Sequence, residues 1–271
     1  MPAAVDADLA ARAAVDAFAR EKGRSVSVRV ETLDRAWSYG VAVDVHRPAA
    51  SLLKLPLAVA AETALLVGDL EPTDEVPVYD LLHEGDGPSV LHALVPQHRL
   101  SVAEILGLAM SASDTPCARW LLAAVGIGAV RAAAEQAGCA DTTVEPASGA
   151  AGPLRGLTTA DDAIRLLAAA SDPDRCPVTA RALDHSVRNS RIPLGANADD
   201  IRIAHKTGTL AGVAHDVAVI RCRTATVRLA FLTDAQHDTL VAGYEMGICT
   251  REVLVAFGLE VVSTASAVEW R

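Results

Sequence analysis

The strongest constraint on this chain is where its strand patterning falls. Ser25 to Leu33 alternates Val26, Val28 and Val30, and Trp37 to Val45 alternates similarly across a turn at Asp34-Arg35, which predicts a hairpin. Strand patterning returns only at Ile201 to Ala204, Val217 to Cys222 and Thr226 to Thr233. From Ser51 to about Ala170, alanine-rich and leucine-rich segments at 51–67, 100–111, 115–125, 128–137 and 160–170 read as helices instead. Neither strand group can close a core alone, so the two ends are expected to meet in one five-stranded antiparallel sheet. Flanking it are a helix over 4–22, stopped by Gly23, and a final helix with Val241, Tyr244, Ile248 and Val255 on one face.

This predicts an α+β chain of one domain, 1–271, with a sheet lobe from 1–50 and 200–271. An all-helical insertion lobe covers 51–199, its loop-rich stretch 171–200 making the return crossing. A hydrophobic fraction of 51% over 271 residues is ample for a core. The net charge of −10 repels nucleic acid. Apolar stretches such as Leu52 to Ala61 are broken by Lys54 and Pro56, short of the roughly 20 residues that span a bilayer. A monomer with neither nucleic-acid nor membrane partner is expected. No basic segment followed by an apolar one opens the chain, which predicts a cytoplasmic protein unless a leader has been removed. Cys117, Cys139, Cys176, Cys222 and Cys249 are scattered without a CxxC pair, which predicts reduced, buried thiols, no metal site and no cofactor.

Of the 24 basic residues only Lys22, Lys54 and Lys206 are lysines. A chain that otherwise meets its need for positive charge with arginine has reason to use lysine where a proton must be lost, because arginine stays charged in proteins. Ser51-Leu52-Leu53-Lys54 sets a hydroxyl and an amine three residues apart at a helix start, on one face. A serine is a weak nucleophile until its proton is removed, and a neutral lysine can remove it once burial or a neighbouring cation lowers its pKa. Ser113-Asp114-Thr115 opens a second helix, with Asp114 suited to a structural hydrogen-bond acceptor there. Lys206-Thr207-Gly208-Thr209 ends a strand, where a glycine permits close backbone approach. Singly each pattern is common; together, in this order, they hold two of three lysines.

The set Ser-x-x-Lys, Ser-Asp-x, Lys-Thr-Gly resembles the serine β-lactamases of class A and the penicillin-binding-protein-like serine hydrolases. Arg191-Ile192-Pro193, Leu157-Thr158-Thr159 and His215-Asp216-Val217 extend the resemblance over most of the chain. It implies Ser51 as nucleophile, Lys54 as base, Ser113 as proton relay to the leaving group and Lys206 as a supporting cation. It also implies an oxyanion hole from the N–H groups of Ser51 and Thr209, with the Thr207 and Thr209 hydroxyls facing the substrate. Thr115 takes the place of the asparagine that holds the substrate's side-chain amide in that family, and Arg119 replaces another that anchors the loop bearing a deacylating glutamate.

Two alignments of that loop compete. Glu145-Pro146 imitates the family's glutamate-proline pair and makes Glu145 a candidate for deacylation. The preferred gapless match, from Gly138 through Thr142 and Val144, instead puts Ser148 at the glutamate's place. No arginine is found at the inner start of the final helix, where some members clamp a carboxylate. The expected function is hydrolysis of a β-lactam-type amide through an acyl-serine. The alternatives are an intracellular esterase or D-amino-acid amidase, and a slowly deacylating binding or sensing module. No histidine is assigned a catalytic role, and His205 is expected on the face opposite Lys206.

Overall fold

The computed structural model describes residues 4–20, 25–34, 37–147, 152–196, 198, 200–223 and 225–259. Five strands, β1 (Ser25–Thr32), β2 (Trp37–Val41), β3 (Arg202–Leu210), β4 (Val213–Arg221) and β5 (Thr226–Asp234), form one antiparallel sheet in the order β2-β1-β5-β4-β3. The first hairpin thus pairs with the last strand, Ser25 opposite Asp234 and Thr32 opposite Val227. The longer helices are α1 (Ala4–Arg20), α2 (Lys54–Val67), α3 (Val102–Ser111), α4 (Thr115–Gln136), α5 (Ala160–Ala170), α6 (Pro177–Asp184) and α7 (Thr239–Ala256).

Period-two alternation sorts the sheet into two faces. Ala214, Ala218, Ile220, Leu229 and Phe231 join Val15, Phe18, Met246 and Val253 in the core beneath α1 and α7. Their neighbours Val217, Val219, Ala230 and Leu232 join Leu52, Leu57, Ile105 and Leu121 in the core of the helical lobe. Strand β4 is therefore buried on both faces along nearly its whole length.

Several local expectations are revised. The second hairpin strand ends at Val41, because Ala42 takes a left-handed turn with φ 49°. Its partner turn at Arg35, the stop at Gly23 and Ser148 lie outside the described residues. Strand β3 runs on to Leu210, so Lys206-Thr207-Gly208-Thr209 lies within the strand and not beyond its end. The segment at 100–111 begins as a short strand, Arg99–Ser101, before α3, whose N-terminus is closed by a Ser101/Glu104 capping box. The helices expected at 115–125 and 128–137 are one run, broken in backbone angle at Gly126 with φ 76°. Helix α6 arises within the supposed loop 171–200, started by Pro177. The insertion is not purely helical: residues 75–77 pair with 99–101, and 145–146 with 154–155.

Two helical runs, Ala50–Val67 and Thr115–Gln136, are long and apolar enough to cross a membrane by length and composition, contrary to the reading of the apolar stretches. The first is mostly buried as the central helix of its lobe. The final helix turns the other way from expectation. Val241, Tyr244, Ile248 and Val255 are exposed, while Ala242, Gly243, Met246, Gly247, Val253 and Leu254 are buried. Any side-chain carbon at Gly247 would come within 2.8 Å of Leu194 Cβ, so small residues admit the neighbouring segment where large ones would hold it off. All five cysteines are unpaired, and four are buried.

Candidate active site

The residues leading to Ser51 are stapled from three sides. Arg47 pairs with Thr158 and Pro48 with Leu157 in a short antiparallel ladder, and Ala49 N–H donates to Gly156 O at 2.9 Å. Arg47 Nε donates to Ser27 Oγ at 2.8 Å, and its Nη1 meets Asp234 Oδ1 at 2.8 Å. His215 reaches over from β4 to Pro48 O at 2.6 Å. Thr233 N–H donates to His215 Nδ1 at 3.0 Å, so the ring proton lies on Nε2 and is given to that carbonyl. Full burial lowers the His215 pKa to about 4 and keeps this neutral tautomer in place.

Ser51 then falls in a 3₁₀ turn, Ala50–Leu53, and α2 starts only at Lys54. In a 3₁₀ turn residues i and i+3 eclipse, which aligns Ser51 with Lys54 more closely than an α-helical turn does. Ala50 carries φ 49°, a left-handed angle that costs a non-glycine residue of order 1 kcal/mol or more and directly follows the stapled residues 47–49. The turn packs against β3 at Gly208. A side-chain carbon there would lie 3.1 Å from His215 Cδ2 and 3.2 Å from Ala50 Cβ, the close approach that makes this position glycine.

Ser113, with φ 58°, joins α3 to α4. Its following residue caps α4: Asp114 Oδ1 accepts Cys117 N–H at 3.1 Å, and Oδ2 accepts Ser89 Oγ at 2.6 Å and Val90 N–H at 3.1 Å. Asp114 is the structural acceptor expected of it. The rigid corner turns its carbonyls onto Lys54, whose Nζ donates to Ser113 O at 2.5 Å and Asp114 O at 3.3 Å and stands 3.4 Å from Ser113 Oγ. Lys206, 1% exposed, donates to the same Ser113 Oγ at 2.8 Å and to Thr207 O at 2.9 Å. The two suspected lysines thus meet on one serine.

Burial lowers the Lys54 pKa to about 8, against a smaller opposing pull from Asp114. Lys206 is driven well below the usual lysine value by burial first and the Lys54 ammonium second. Beside them Arg191, buried, donates through Nη1 to Gly208 O at 2.9 Å and to His215 O, and through Nη2 to Thr209 Oγ1 at 2.6 Å. Asp216 accepts Ile192 N–H at 3.1 Å and lies 2.9 Å from His205 Nδ1, so His205 points away from the lysines as alternation predicted.

The chain carries the features of a known family throughout this arrangement, and the model of the beta-lactamase enzyme family matches residues 10–247. The chain belongs to the beta-lactamase enzyme family. No curated protein matches it in sequence. Among solved structures, a beta-lactamase from Sphaerobacter thermophilus is 25% identical, with a TM-score of 0.79 over 95% of this chain and 99% of that one. PBP-A is 19% identical, TM-score 0.78, over 92% and 96%. A beta lactamase from Xanthomonas campestris pv. campestris is 20% identical, TM-score 0.79, over 92% and 98%. Family and fold make this beta-lactamase-family protein a serine hydrolase.

The structure brings Lys54, Ser113 and Lys206 into contact, puts Ser51 one turn from Lys54, and starts α4 with Thr115 directly after the Asp114 carbonyl that Lys54 holds. Thr207 and Thr209 share the face of β3 opposite Lys206. Glu145 is not in this group. It sits in the exposed pairing 145–146 with 154–155 and forms an ion pair with Arg131 Nη2 at 2.9 Å on the outer part of α4. Arg119 does not reach that loop either. Its guanidinium meets both Asp86 oxygens, at 2.5 and 2.8 Å, and Leu81 O at 2.7 Å. Sequence reasoning singled out Arg191 only within Arg191-Ile192-Pro193 and missed its bonds to β3 and Thr209. It also missed His215 as the post behind Ser51, although its strand had been singled out.

Proposed function

We propose that this protein hydrolyses a β-lactam-type amide through an acyl-Ser51 intermediate. The observation that carries the reading is the single hydroxyl of Ser113 shared by Lys54 and Lys206 beside the Ser51 turn. A neutral Lys54 has two N–H groups and one lone pair. The N–H groups are taken by the carbonyls of Ser113 and Asp114, which leaves the lone pair for the Ser51 proton.

Ser51 Oγ gives up that proton to Lys54 and attacks the amide carbon, and the N–H groups of Ser51 and Thr209 receive the oxyanion. As the C–N bond breaks, the proton passes from Lys54 through Ser113 to the leaving nitrogen, while Lys206 holds the Ser113 oxygen as acceptor. Water then cleaves the acyl ester, returning Ser51 and a carboxylic acid. The resemblance turns the Thr207 and Thr209 hydroxyls, and Thr115, toward the substrate, and Arg191, bonded to Thr209 Oγ1, adds positive charge behind them that favours a substrate carboxylate.

The outward pairing of Glu145 and the diversion of Arg119 to Asp86 favour a second reading, in which acylation is ready and deacylation slow. An acyl-enzyme complex with penicillin G is known for a variant of PBP-A, a neighbour of the same fold. An esterase or D-amino-acid amidase would use the same groups. Intact-mass measurement after incubation with penicillin G, nitrocefin and a p-nitrophenyl ester tests the reading. A covalent adduct on Ser51, absent in Ser51→Ala, is expected, and absence of an adduct with every donor overturns it. Multiple turnovers per minute would remove the slow-deacylation alternative.

A further inference from the structure

The crossing from α6 to Ile192 is tied down beside the lysine pair. Val187 N–H donates to Ser111 O at 3.0 Å, Ser186 Oγ reaches the same carbonyl at 3.4 Å, and Arg188 Nε donates to Ala112 O at 3.1 Å. Ala112 immediately precedes Ser113, so the guanidinium is held one residue from the serine that the two lysines share. Arg188 is exposed, and among the described residues neither of its Nη groups has a carboxylate partner. Nearby Arg191 is spent on three oxygens of the protein itself.

The charges here do not balance internally. Arg188 lowers the proton affinity of Lys54, Lys206 and Arg191, so all four cations share one field. Of the two carboxylates that oppose them, Asp216 is engaged by Ile192 N–H and His205, and Asp114 by Ser89, Val90 and Cys117. Four basic groups thus face two carboxylates, and a chain with a net charge of −10 has gathered an excess of basic groups at one cleft, which is the electrostatic pattern of an anion-binding site.

Resting on the acyl-serine reading above, we propose that Arg188 is a second anion-binding residue, and that the preferred acyl donors carry two anionic groups on the leaving-group side. One would sit against the Thr207 and Thr209 hydroxyls, with the Arg191 charge behind them. The other would take the free Nη edge of Arg188, which lies on the leaving-group side because it hangs from the residue before Ser113, the proton donor to that group. A fork of two N–H donors matches a carboxylate in a way an ammonium does not.

The test uses two esters with the same acyl group, one with D-lactate as leaving group and one with D-malate, which adds a second carboxylate. The ratio of their acylation kcat/KM values reads the second site alone, because any change at the lysines acts on both esters. The wild type is expected to favour malate by about 10- to 100-fold, the range of one charge-assisted hydrogen bond. Arg188→Gln should bring the ratio to within about threefold of one, Arg188→Lys should keep part of the preference, and Arg188→Glu should push it below one. A wild-type ratio near one, or a preference that survives in Arg188→Gln, overturns the proposal while leaving acylation intact. Failure of every donor to acylate the wild type overturns the acyl-serine reading, and this one with it.

Discussion

The serine–lysine cluster and the segment that follows α4 are built by opposite means. In the first, Ser51, Lys54, Ser113 and Lys206 come from three distant parts of the chain and are locked by buried hydrogen bonds, with two left-handed residues, Ala50 and Ser113, held at the turning points. The second, from Cys139 to Thr158, is tied at its neck. Thr142 Oγ1 bonds Asp162 Oδ2 at 2.9 Å and Thr143 N–H bonds Leu157 O at 2.9 Å, yet its only glutamate faces outward on an exposed arginine. Strain and burial mark the first, and surface chemistry marks the described part of the second. On the proposed acyl-serine reading, the difference teaches that the groups of the covalent step meet in one buried cluster while Glu145 stands apart from them.

The largest test of that contrast is Lys54→Ala. Loss of a general base should slow the acylation burst by about 10²- to 10⁴-fold, measured by stopped-flow with nitrocefin. A loss below tenfold would mean the buried cluster is structural only. Next comes pH. With the Lys54 pKa near 8, the fraction of free amine, and with it the burst rate, should rise roughly tenfold per unit from pH 6 towards 8 and then level off. The same lowering means that between about 8 and the ordinary 10.5 the native chain binds fewer protons than the unfolded one, so this group makes stability rise with pH across that window.

His215→Phe probes the support behind Ser51. Since the folded His215 pKa is about 4 against the usual 6.5, the unfolded chain takes up a proton between these values and the native chain does not. Stability is therefore lost as pH falls from 6.5 to 4, by up to about 3 kcal/mol from this group. Urea midpoints at pH 7 and 5 should show that slope in the wild type and its loss in His215→Phe. The smallest effect is expected of Glu145→Ala. An exposed ion pair contributes about 0–1 kcal/mol, and steady-state turnover should stay within about twofold. A trapped acyl-enzyme in this variant would erase the contrast between the two regions.

Much of the architecture could be read before any coordinates. The five strands, their division between the two ends and the three motifs follow from alternation and residue type, both local properties. The scarcity of lysine was the most useful single signal, since it picked out the two amines that share Ser113. The final helix was misread because periodicity locates a stripe and not the direction it faces. Its glycine side was buried, where Gly243 lies against Arg191 and Gly247 against Leu194.

By itself, then, the sequence determined the order of strands and helices and the kinds of chemical group available. Only the tertiary structure decided which groups meet: Lys54 and Lys206 lie 59 and 93 residues from Ser113 and touch it only because the strained corner at Ser113 faces both α2 and β3. Glu145 is held instead in an exposed pair with Arg131, only fourteen residues away, whose Nε also donates to Val144 O at 2.8 Å. The physical reason is range. Propensity and periodicity act over one or two turns of chain, whereas the direction of a side chain, and the desolvation that sets its proton affinity, depend on whatever the fold packs against it.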